Sequence, residues 1–325
     1  MLTSMEQEAK VPVGRLYDSS AEDHEVEITT GMAMPSANQL LWIDVDRDAG
    51  NLSQVAQALD LGGQLQALAQ PRREPRLVQG SNFVRVSVIG LEAETDRPRP
   101  VPIDLVAMTN VVVSVHDRKI EGLGVPLEVV KGETQFGALD ESAFVAVLLD
   151  AILAGYFRAV EDIERRIDEY DGRALRSHDK DDLIEDLVGL RREVAVLRRA
   201  LSPQREVFYT LERPGLVLGD SESAAWPQIA DRFRQAVEAV ENARELLVGT
   251  FDIVISLQGE RTNDVMRTLT VVSSVLLPAV VIAGIMGMNF KAPIFDDPTN
   301  FYVVLAATFG LAIGILLFAR IRHWI

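Results

Sequence analysis

Two long apolar runs close the chain, and a short polar break separates them. No charged residue occurs between Thr268 and Phe290, and none occurs between Pro298 and Ala319. At a rise of about 1.5 Å per residue, either run as a helix crosses a hydrocarbon core of roughly 30 Å. The pattern therefore predicts two transmembrane helices at the C-terminal end of a larger polar chain.

Helical periodicity precedes the first apolar run. Apolar positions recur on one face from Ser142 until a predicted break near Gly172, and again from Asp181 to Leu201. A third helix is predicted to begin near Pro227, a residue suited to a first helical turn. It continues into the first apolar run and ends at Asn289, so the sequence predicts one very long helix.

Strand patterns occupy the first third of the chain. Leu40–Val45, Phe83–Ile89, Leu105–Met108 and Val111–Val115 are rich in β-branched residues or alternate with polar ones. A short helical pattern around Val55 lies among them, which predicts an α/β domain. The expected organisation is an α/β domain over 1–135, an acidic helical hairpin over 136–222, a stalk and first transmembrane helix over 223–290, an external loop over 291–297, a second transmembrane helix over 298–319 and a basic tail over 320–325.

Composition excludes several classes of function. The chain has 48 acidic residues against 32 lysines and arginines, a net charge of -16 that disfavours nucleic acid as a partner. It has no cysteine, so disulfides, thiolate metal sites and a cysteine nucleophile are excluded. The four histidines are scattered, and no nucleophile–base pair is visible, so an enzyme is not expected. Acidity suits a protein that concentrates cations, or it serves solubility alone.

Gly287-Met288-Asn289 ends the first of only two C-terminal apolar runs, after Pro278 in the same helix. In this setting the tripeptide resembles the signature of the CorA-type divalent-cation channel family. Shorter stretches agree, namely Trp42-Ile43-Asp44, Ser114-Val115-His116 and Leu197-Arg198-Arg199, the last shared with the zinc-transporting ZntB-type members. The resemblance implies a funnel-shaped homopentamer that passes Mg²⁺, with Co²⁺, Ni²⁺ or Zn²⁺ as other possible cargo.

The same resemblance implies that Gly287, Met288 and Asn289 form a selectivity mouth. A ring of Asn289 amide carbonyls would accept hydrogen bonds from the water shell of Mg²⁺, which dehydrates reluctantly. An ordinary helix C-cap is the alternative role for this asparagine. The chain departs from the family in having Met286 before the tripeptide and in lacking the acidic Met-Pro-Glu-Leu loop.

A pore built from one helix per subunit needs a narrow row of residues facing the axis. Steps of three and four predict such a row, here called the axial stripe. Its members alternate between polar rungs that contact water and apolar rungs that close by dewetting, although ordinary helix packing also produces such a row, and Leu269 is an alternative to Thr270. The axial stripe consists of Asp252, Ser256, Gly259, Asn263, Met266, Thr270, Ser273, Leu277, Val280, Gly284 and Gly287.

The remaining expectations concern regulation by metal ions and the orientation of the chain in the membrane. The resemblance implies a cytoplasmic Mg²⁺ sensor, for which Asp231 is a candidate ligand, and Asp252 is a second candidate metal residue. His116 is interpreted as a hydrogen-bonded histidine rather than a ligand. Arginines flank the two apolar runs on the side of the large polar region, which predicts a multi-pass protein of the cell inner membrane with both termini in the cytoplasm. No cofactor is expected, and a membrane-tethered regulatory protein without transport is the alternative from another class.

Overall fold

The computed structural model describes residues 12–18, 22–47, 51–59, 68–69, 74–80, 82–123, 140–176, 181–212, 225–288 and 298–322. The chain divides into two compact units, Met1–Thr250 and Phe251–Ile325. The division falls inside the longest helix, which contributes its first part to one unit and its second part to the other. The first unit holds all the strands that the structure describes, and the described part of the second unit is entirely helical.

A seven-stranded sheet forms the centre of the first unit. Its spatial order is β2-β1-β3-β7-β6-β5-β4, and only the β3–β7 pair is parallel. That parallel pair lies in the middle of the sheet, where Val111–His116 is completely buried as a run of β-branched residues requires. The strands are β1 Val13–Asp18, β2 His24–Glu27, β3 Gln39–Asp46, β4 Arg76–Gln79, β5 Val84–Leu91, β6 Pro100–Met108 and β7 Val111–His116.

Both faces of the sheet are covered by helices. The short helix α1, Leu52–Ala58, buries Val55 in a cluster with aliphatic residues from β3, β6 and β7. On the other face, Trp42 and Tyr17 pack against Phe144 with ring centroids 5.6 Å and 5.5 Å away. The predicted strands at 40–45, 83–89, 105–108 and 111–115 therefore belong to one core.

A buried ion cluster lies between β5, β6 and the segment that follows β3. The Asp104 carboxylate, which is 2% exposed, accepts hydrogen bonds from Arg85 Nε at 3.0 Å and from Arg47 Nη2 at 3.1 Å. Ser87 donates to the same carboxylate across the β5–β6 register. Both arginines are themselves nearly buried, so this carboxylate contributes to neutralising them, and Arg47 pairs with Asp117 as well.

Two long helices, a short turn and a short helix follow the sheet in sequence. These are α2, Glu141–Arg176, and α3, Asp181–Leu201, followed by a 3₁₀ turn at Ser202–Gln204 and α4, Arg205–Leu211. Asp140 caps α2 by accepting from the backbone N–H of Ala143. The predicted break near Gly172 was wrong. A single interior glycine costs only about 1 kcal/mol, and Arg173 beyond it still pairs with Asp186 of α3 at 3.0 Å.

The C-terminal part consists of α5, Trp226–Met286, and α6, Pro298–Ile321. By length and composition, α2, α5 and α6 could each cross a membrane. The apolar window of α2 is 56% buried, against 6% for α5 and 0% for α6. The apolar surface of α2 is thus used within the folded unit, whereas α5 and α6 leave theirs exposed, as transmembrane helices do.

Candidate pore-lining helix

Helix α5 is continuous over 61 residues, which corresponds to about 90 Å at 1.5 Å per residue. Pro278 lies inside it without ending it, although proline removes one backbone donor and one intrahelical hydrogen bond. A single helix therefore carries both the predicted cytoplasmic stalk and the first predicted membrane span.

The first part of α5 belongs to the core of the N-terminal unit. Phe233 stacks on Phe208 of α4 with ring centroids 4.2 Å apart. Arg232 pairs with Asp150 and lies over the Phe157 ring of α2. The buried positions of this part recur every three or four residues, so one face is fixed by packing; they are Ile229, Ala230, Phe233, Ala236, Val240, Ala243 and Leu247.

The second part of α5 has a different environment. Between 268 and 288 the residues of α5 that are buried or half-buried share one face, here called the covered row of α5. A matching covered row occurs on α6, the other described element of this unit. Covered rows of this length are expected where two helices pack along each other. The covered row of α5 is Val271, Val275, Pro278, Ala279, Ile282 and Met286, and that of α6 is Asn300, Val304, Thr308, Ala312, Ile315 and Ala319.

The axial stripe lies on the opposite side of α5 from this covered row. At about 100° per residue, the mean directions of the two rows between Thr270 and Gly287 differ by roughly 180°. Every member of the axial stripe is exposed, from Asp252 to Gly287. The face that the sequence assigns to a pore axis is therefore the exposed face of this part of α5, opposite its covered row.

Apart from Asp252, the charged residues in the part of α5 after Thr250 lie off the axial stripe. Glu260, Arg261, Asp264 and Arg267 all lie outside it, and Asp264 pairs with Arg267 at 3.9 Å. Asp252 is the one charged member of the stripe. Along this face a cation would meet a carboxylate, hydroxyls and an amide, and no positive side chain.

Threonine hydroxyls on α5 are bonded to their own helix. Thr270 Oγ1 donates to the Met266 carbonyl at 2.7 Å, and Thr268 Oγ1 donates to the Asp264 carbonyl at 2.9 Å. A hydroxyl that donates in this way keeps its lone pairs as acceptors. On the axial stripe, Thr270 therefore offers an oxygen that can accept a hydrogen bond from water.

The helix ends at the predicted mouth. Gly287 donates to the Ala283 carbonyl at 2.9 Å, and Met288 donates to the Ile285 carbonyl at 3.2 Å, which tightens the last turn. Met288 is half exposed. Asn289, the main predicted selectivity residue, lies outside the described residues, as do Asp296 and Asp297 of the predicted loop.

Asp231 lies on an exposed part of α5 and is paired within the chain. Arg234 bonds its carboxylate and also both carboxylate oxygens of Glu212, the latter at 3.0–3.1 Å. Within the described residues, no three acidic or histidine side chains are grouped so that they could hold a metal ion. The role of Asp231 as a sensor thus stays a prediction, and it would need ligands beyond this group.

His116 is part of a buried polar network. The parallel pairing of β3 and β7 brings Asp44 beside Ser114, so that Trp42 Nε1 donates to Ser114 Oγ at 3.0 Å and Ser114 donates to Asp44. His116 Nε2 lies 3.0 Å from Asp44 Oδ1. Burial lowers the pKa of His116, but the hydrogen bond and charge of Asp44, with a contribution from Asp46, outweigh burial and raise it above its usual value. The interpretation as a hydrogen-bonded histidine is confirmed.

This chain is similar to known metal-ion transport proteins in both sequence and fold. Residues 37–322 match the family model described as CorA-like Mg2+ transporter protein. The chain is 29% identical over 180 residues to the cobalt/magnesium transport protein CorA of Thermotoga maritima, which covers 55% of this chain and 51% of that protein. It thus spans about half the length of that relative. It is also 22% identical over 306 residues to the zinc transport protein ZntB of Yersinia enterocolitica, with 90% of each chain covered.

A third relative, the cobalt/magnesium transport protein CorA of Methanocaldococcus jannaschii, is 22% identical over 295 residues, covering 88% of this chain and 92% of that protein. The complete structure of the M. jannaschii CorA magnesium transporter superposes with a TM-score of 0.80 over 100% of both chains, at 19% identity. This likeness confirms the predicted fold of an α/β domain followed by a long helix and two C-terminal helices.

Proposed function

This chain belongs to the CorA-like Mg2+ transporter family, and we propose that it is a divalent-cation channel whose pore is lined by α5. Several copies, five by analogy with the family resemblance, would place their axial stripes around one water-filled axis. The protein would sit in the cell inner membrane as a multi-pass protein with α5 and α6 as its spans and both termini in the cytoplasm.

The observation that carries the proposal is the position of the axial stripe relative to the covered row of α5. Because the stripe is exposed and lies on the opposite side of the helix from that row, it is free to face other copies and the axis between them. Its alternation of polar and apolar rungs suits a water-filled path with constrictions, because polar rungs hold water while apolar rungs allow dewetting. Thr270 and Ser273 are the polar rungs within the membrane run, and Leu277 and Val280 are the apolar ones.

Gly287, Met288 and Asn289 would form the mouth. The amide oxygens of Asn289 from each copy would accept hydrogen bonds from the first water shell of the ion. Mg²⁺ suits this mode because it keeps its waters and prefers oxygen partners. Gly287 would let neighbouring chains approach, since a residue without Cβ leaves room between backbones.

Mg²⁺ is the proposed physiological ion, with Co²⁺ and Ni²⁺ as further cargo. Zn²⁺ is the second candidate, because a zinc transport protein is among the relatives that align over most of this chain. Zinc favours sulfur and nitrogen ligands, and the axial stripe carries neither cysteine nor histidine. Transport would be passive, driven by about 2.3 kcal/mol per charge for each 100 mV of membrane potential.

Gating would depend on cytoplasmic divalent cations. Ions bridging carboxylates of neighbouring copies would neutralise their repulsion and hold the pore closed, and loss of cytoplasmic Mg²⁺ would release it. Asp231 is the proposed sensor residue on α5, and Asp252 is a second carboxylate at which ions would gather before the narrow part of the stripe.

Flux into proteoliposomes tests the proposal. The wild type should carry Mg²⁺ inward, and Asn289→Ala should abolish selective flux while assembly, followed by gel filtration, stays intact. Asn300→Ala is the matched control, because it removes an amide from the covered row of α6 instead of the mouth. Equal Mg²⁺ flux in wild type and Asn289→Ala would refute the mouth assignment. Absence of any wild-type flux, with and without internal Mg²⁺, would favour the membrane-tethered regulatory protein.

A further inference from the structure

A cavity of about 390 Å³ lies between α2 and α3, beside the loop that joins β5 to β6. Its volume falls within the range of small-molecule sites. Its lining includes arginines, carboxylates and the ring of Tyr170. The cavity belongs to the N-terminal unit and takes no part in the proposed pore.

Two ion pairs between α2 and α3 frame the cavity. Arg166 bonds both carboxylate oxygens of Glu193, at 2.7 Å and 3.2 Å, and Arg173 bonds Asp186 at 3.0 Å. The two pairs are seven residues apart on each helix, which is about 10 Å along its axis. They hold the helices as antiparallel neighbours, with an interval of two turns between the pairs.

Gly189 lies in the middle of this interval, opposite Tyr170. Each of the two residues is three or four positions from both ion pairs, and both line the cavity. A Cβ added to Gly189 would meet no atom within 4 Å, so packing does not require the glycine, which costs a helix about 1 kcal/mol. The missing side chain leaves a gap beside the Tyr170 ring, which is held by the Arg173 guanidinium 5.4 Å from its centroid.

The two ends of the cavity carry opposite charge. Arg192 lines one end beside Glu193, and Arg97 of the β5–β6 loop lies 3.8 Å from the same carboxylate. With Arg166, the lining of this end has three arginines against one carboxylate. Glu185 lines the other end, beside the second ion pair. Glu185 and Arg192 are seven residues apart, so they share one side of α3 about 10 Å from each other.

We propose that this cavity binds a purine nucleoside monophosphate. The phosphate lies at Arg97 and Arg192, because guanidinium groups bind phosphate oxygens in a bidentate manner. The base lies in the gap between Gly189 and Tyr170, since bases stack on aromatic side chains. Glu185 accepts hydrogen bonds from the outer edge of the base, as carboxylates do from exocyclic amines. Guanine is the preferred base, because its ring N–H and its amine can both donate to one carboxylate.

Isothermal titration calorimetry of the full-length protein in detergent tests the site with GMP. The wild type should bind GMP more tightly than UMP, guanosine or inorganic phosphate, each of which lacks one of the proposed contacts. Gly189→Leu should lower the affinity for GMP at least about tenfold, because the side chain fills the gap beside Tyr170. The same variant should keep or raise the melting temperature, since leucine favours a helix over glycine and its Cβ has open space.

Arg192 and Arg191 separate phosphate binding from a general effect of surface charge. Both are exposed on α3, and of the two only Arg192 lines the cavity. Arg192→Gln should lower the affinity for GMP about tenfold, whereas Arg191→Gln should stay within about twofold of wild type. Unchanged GMP affinity in Gly189→Leu or Arg192→Gln, or an equal loss in the two arginine variants, would overturn the site. Wild-type protein that binds inorganic phosphate as tightly as GMP would overturn it as well. None of these measurements uses ion flux, so they are independent of the pore.

Discussion

Thr270 and Thr268 provide a matched test of which side of α5 faces the ions. Both are exposed threonines on the same helix, and each hydroxyl donates to the carbonyl four residues earlier, at 2.7 Å and 2.9 Å. They are two residues apart, so their side chains point about 200° apart around the helix. Thr270 belongs to the axial stripe, and Thr268 does not.

Replacing either threonine by valine removes one hydroxyl at nearly constant volume. Since each loses the same kind of hydrogen bond to its own backbone, the two changes should alter protein stability equally, to within about 0.5 kcal/mol. Only Thr270→Val removes an acceptor from the axis, once for every copy. A water held by such an acceptor gains about 0.5–1.5 kcal/mol, and a barrier higher by about 1.4 kcal/mol slows passage tenfold.

We therefore expect Thr270→Val to lower Mg²⁺ flux by at least about tenfold, and Thr268→Val to stay within about twofold of wild type. The assay is Mg²⁺ entry into proteoliposomes, measured with an enclosed fluorescent indicator at equal protein content. Gel filtration and thermal unfolding establish that both variants assemble alike. A larger loss in Thr268→Val, or equal flux in both variants, would refute the assigned orientation of α5.

Three further predictions concern the buried groups and the constriction. Asp104→Ala removes a buried carboxylate that pairs with two nearly buried arginines, so chemical unfolding of the full-length protein should show a loss of about 3–5 kcal/mol, and a loss below about 1 kcal/mol would contradict the buried ion cluster. Because Asp44 raises the pKa of His116, this pair should contribute stability that is complete below the unfolded pKa and is lost as pH rises through the folded value. The melting temperature should therefore decline less steeply with rising pH in Asp44→Asn than in wild type. An identical slope in the two proteins would show that the His116–Asp44 pair does not contribute to stability. Leu277→Ser should wet the apolar rung and raise flux at high internal Mg²⁺; flux as low as in wild type would argue against closure by dewetting at this position.

Local sequence patterns were sufficient to predict the helices whose structure depends mainly on their own residues. The spacing of Leu183, Leu187, Leu190, Leu197 and Leu201 predicted α3, and each of these side chains is buried. The apolar runs likewise predicted α5 and α6 because membrane crossing depends mainly on length and the absence of charge. The error near Gly172 arose because a glycine weakens a helix locally, whereas contacts with α3 sustain it beyond that point.

The pairing of strands that are distant in sequence could not be predicted from local sequence patterns. The two stretches around Trp42 and His116 resembled the family separately, and nothing local indicated that they form adjacent parallel strands. Their polar side chains become one network only through that pairing. Similarly, Asp104 comes directly before the predicted strand Leu105–Met108, and its pairing with two arginines depends on partners 19 and 57 residues away.

The orientation assigned to α5 depends on both the sequence pattern and the burial pattern of the helix. Steps of three and four residues from Asp252 predicted the axial stripe, but an α-helix with 3.6 residues per turn drifts about 20° per heptad from a 3.5-residue repeat. Across the roughly five heptads from Asp252 to Gly287 the stripe therefore turns by about 100° on a straight helix. It can face one axis throughout only if neighbouring copies of α5 wind around each other with a left-handed twist. Thr270 lies near the middle of this drift and Thr268 on the side of the covered row, so the comparison of their valine variants tests the stripe where its direction is least affected by the twist.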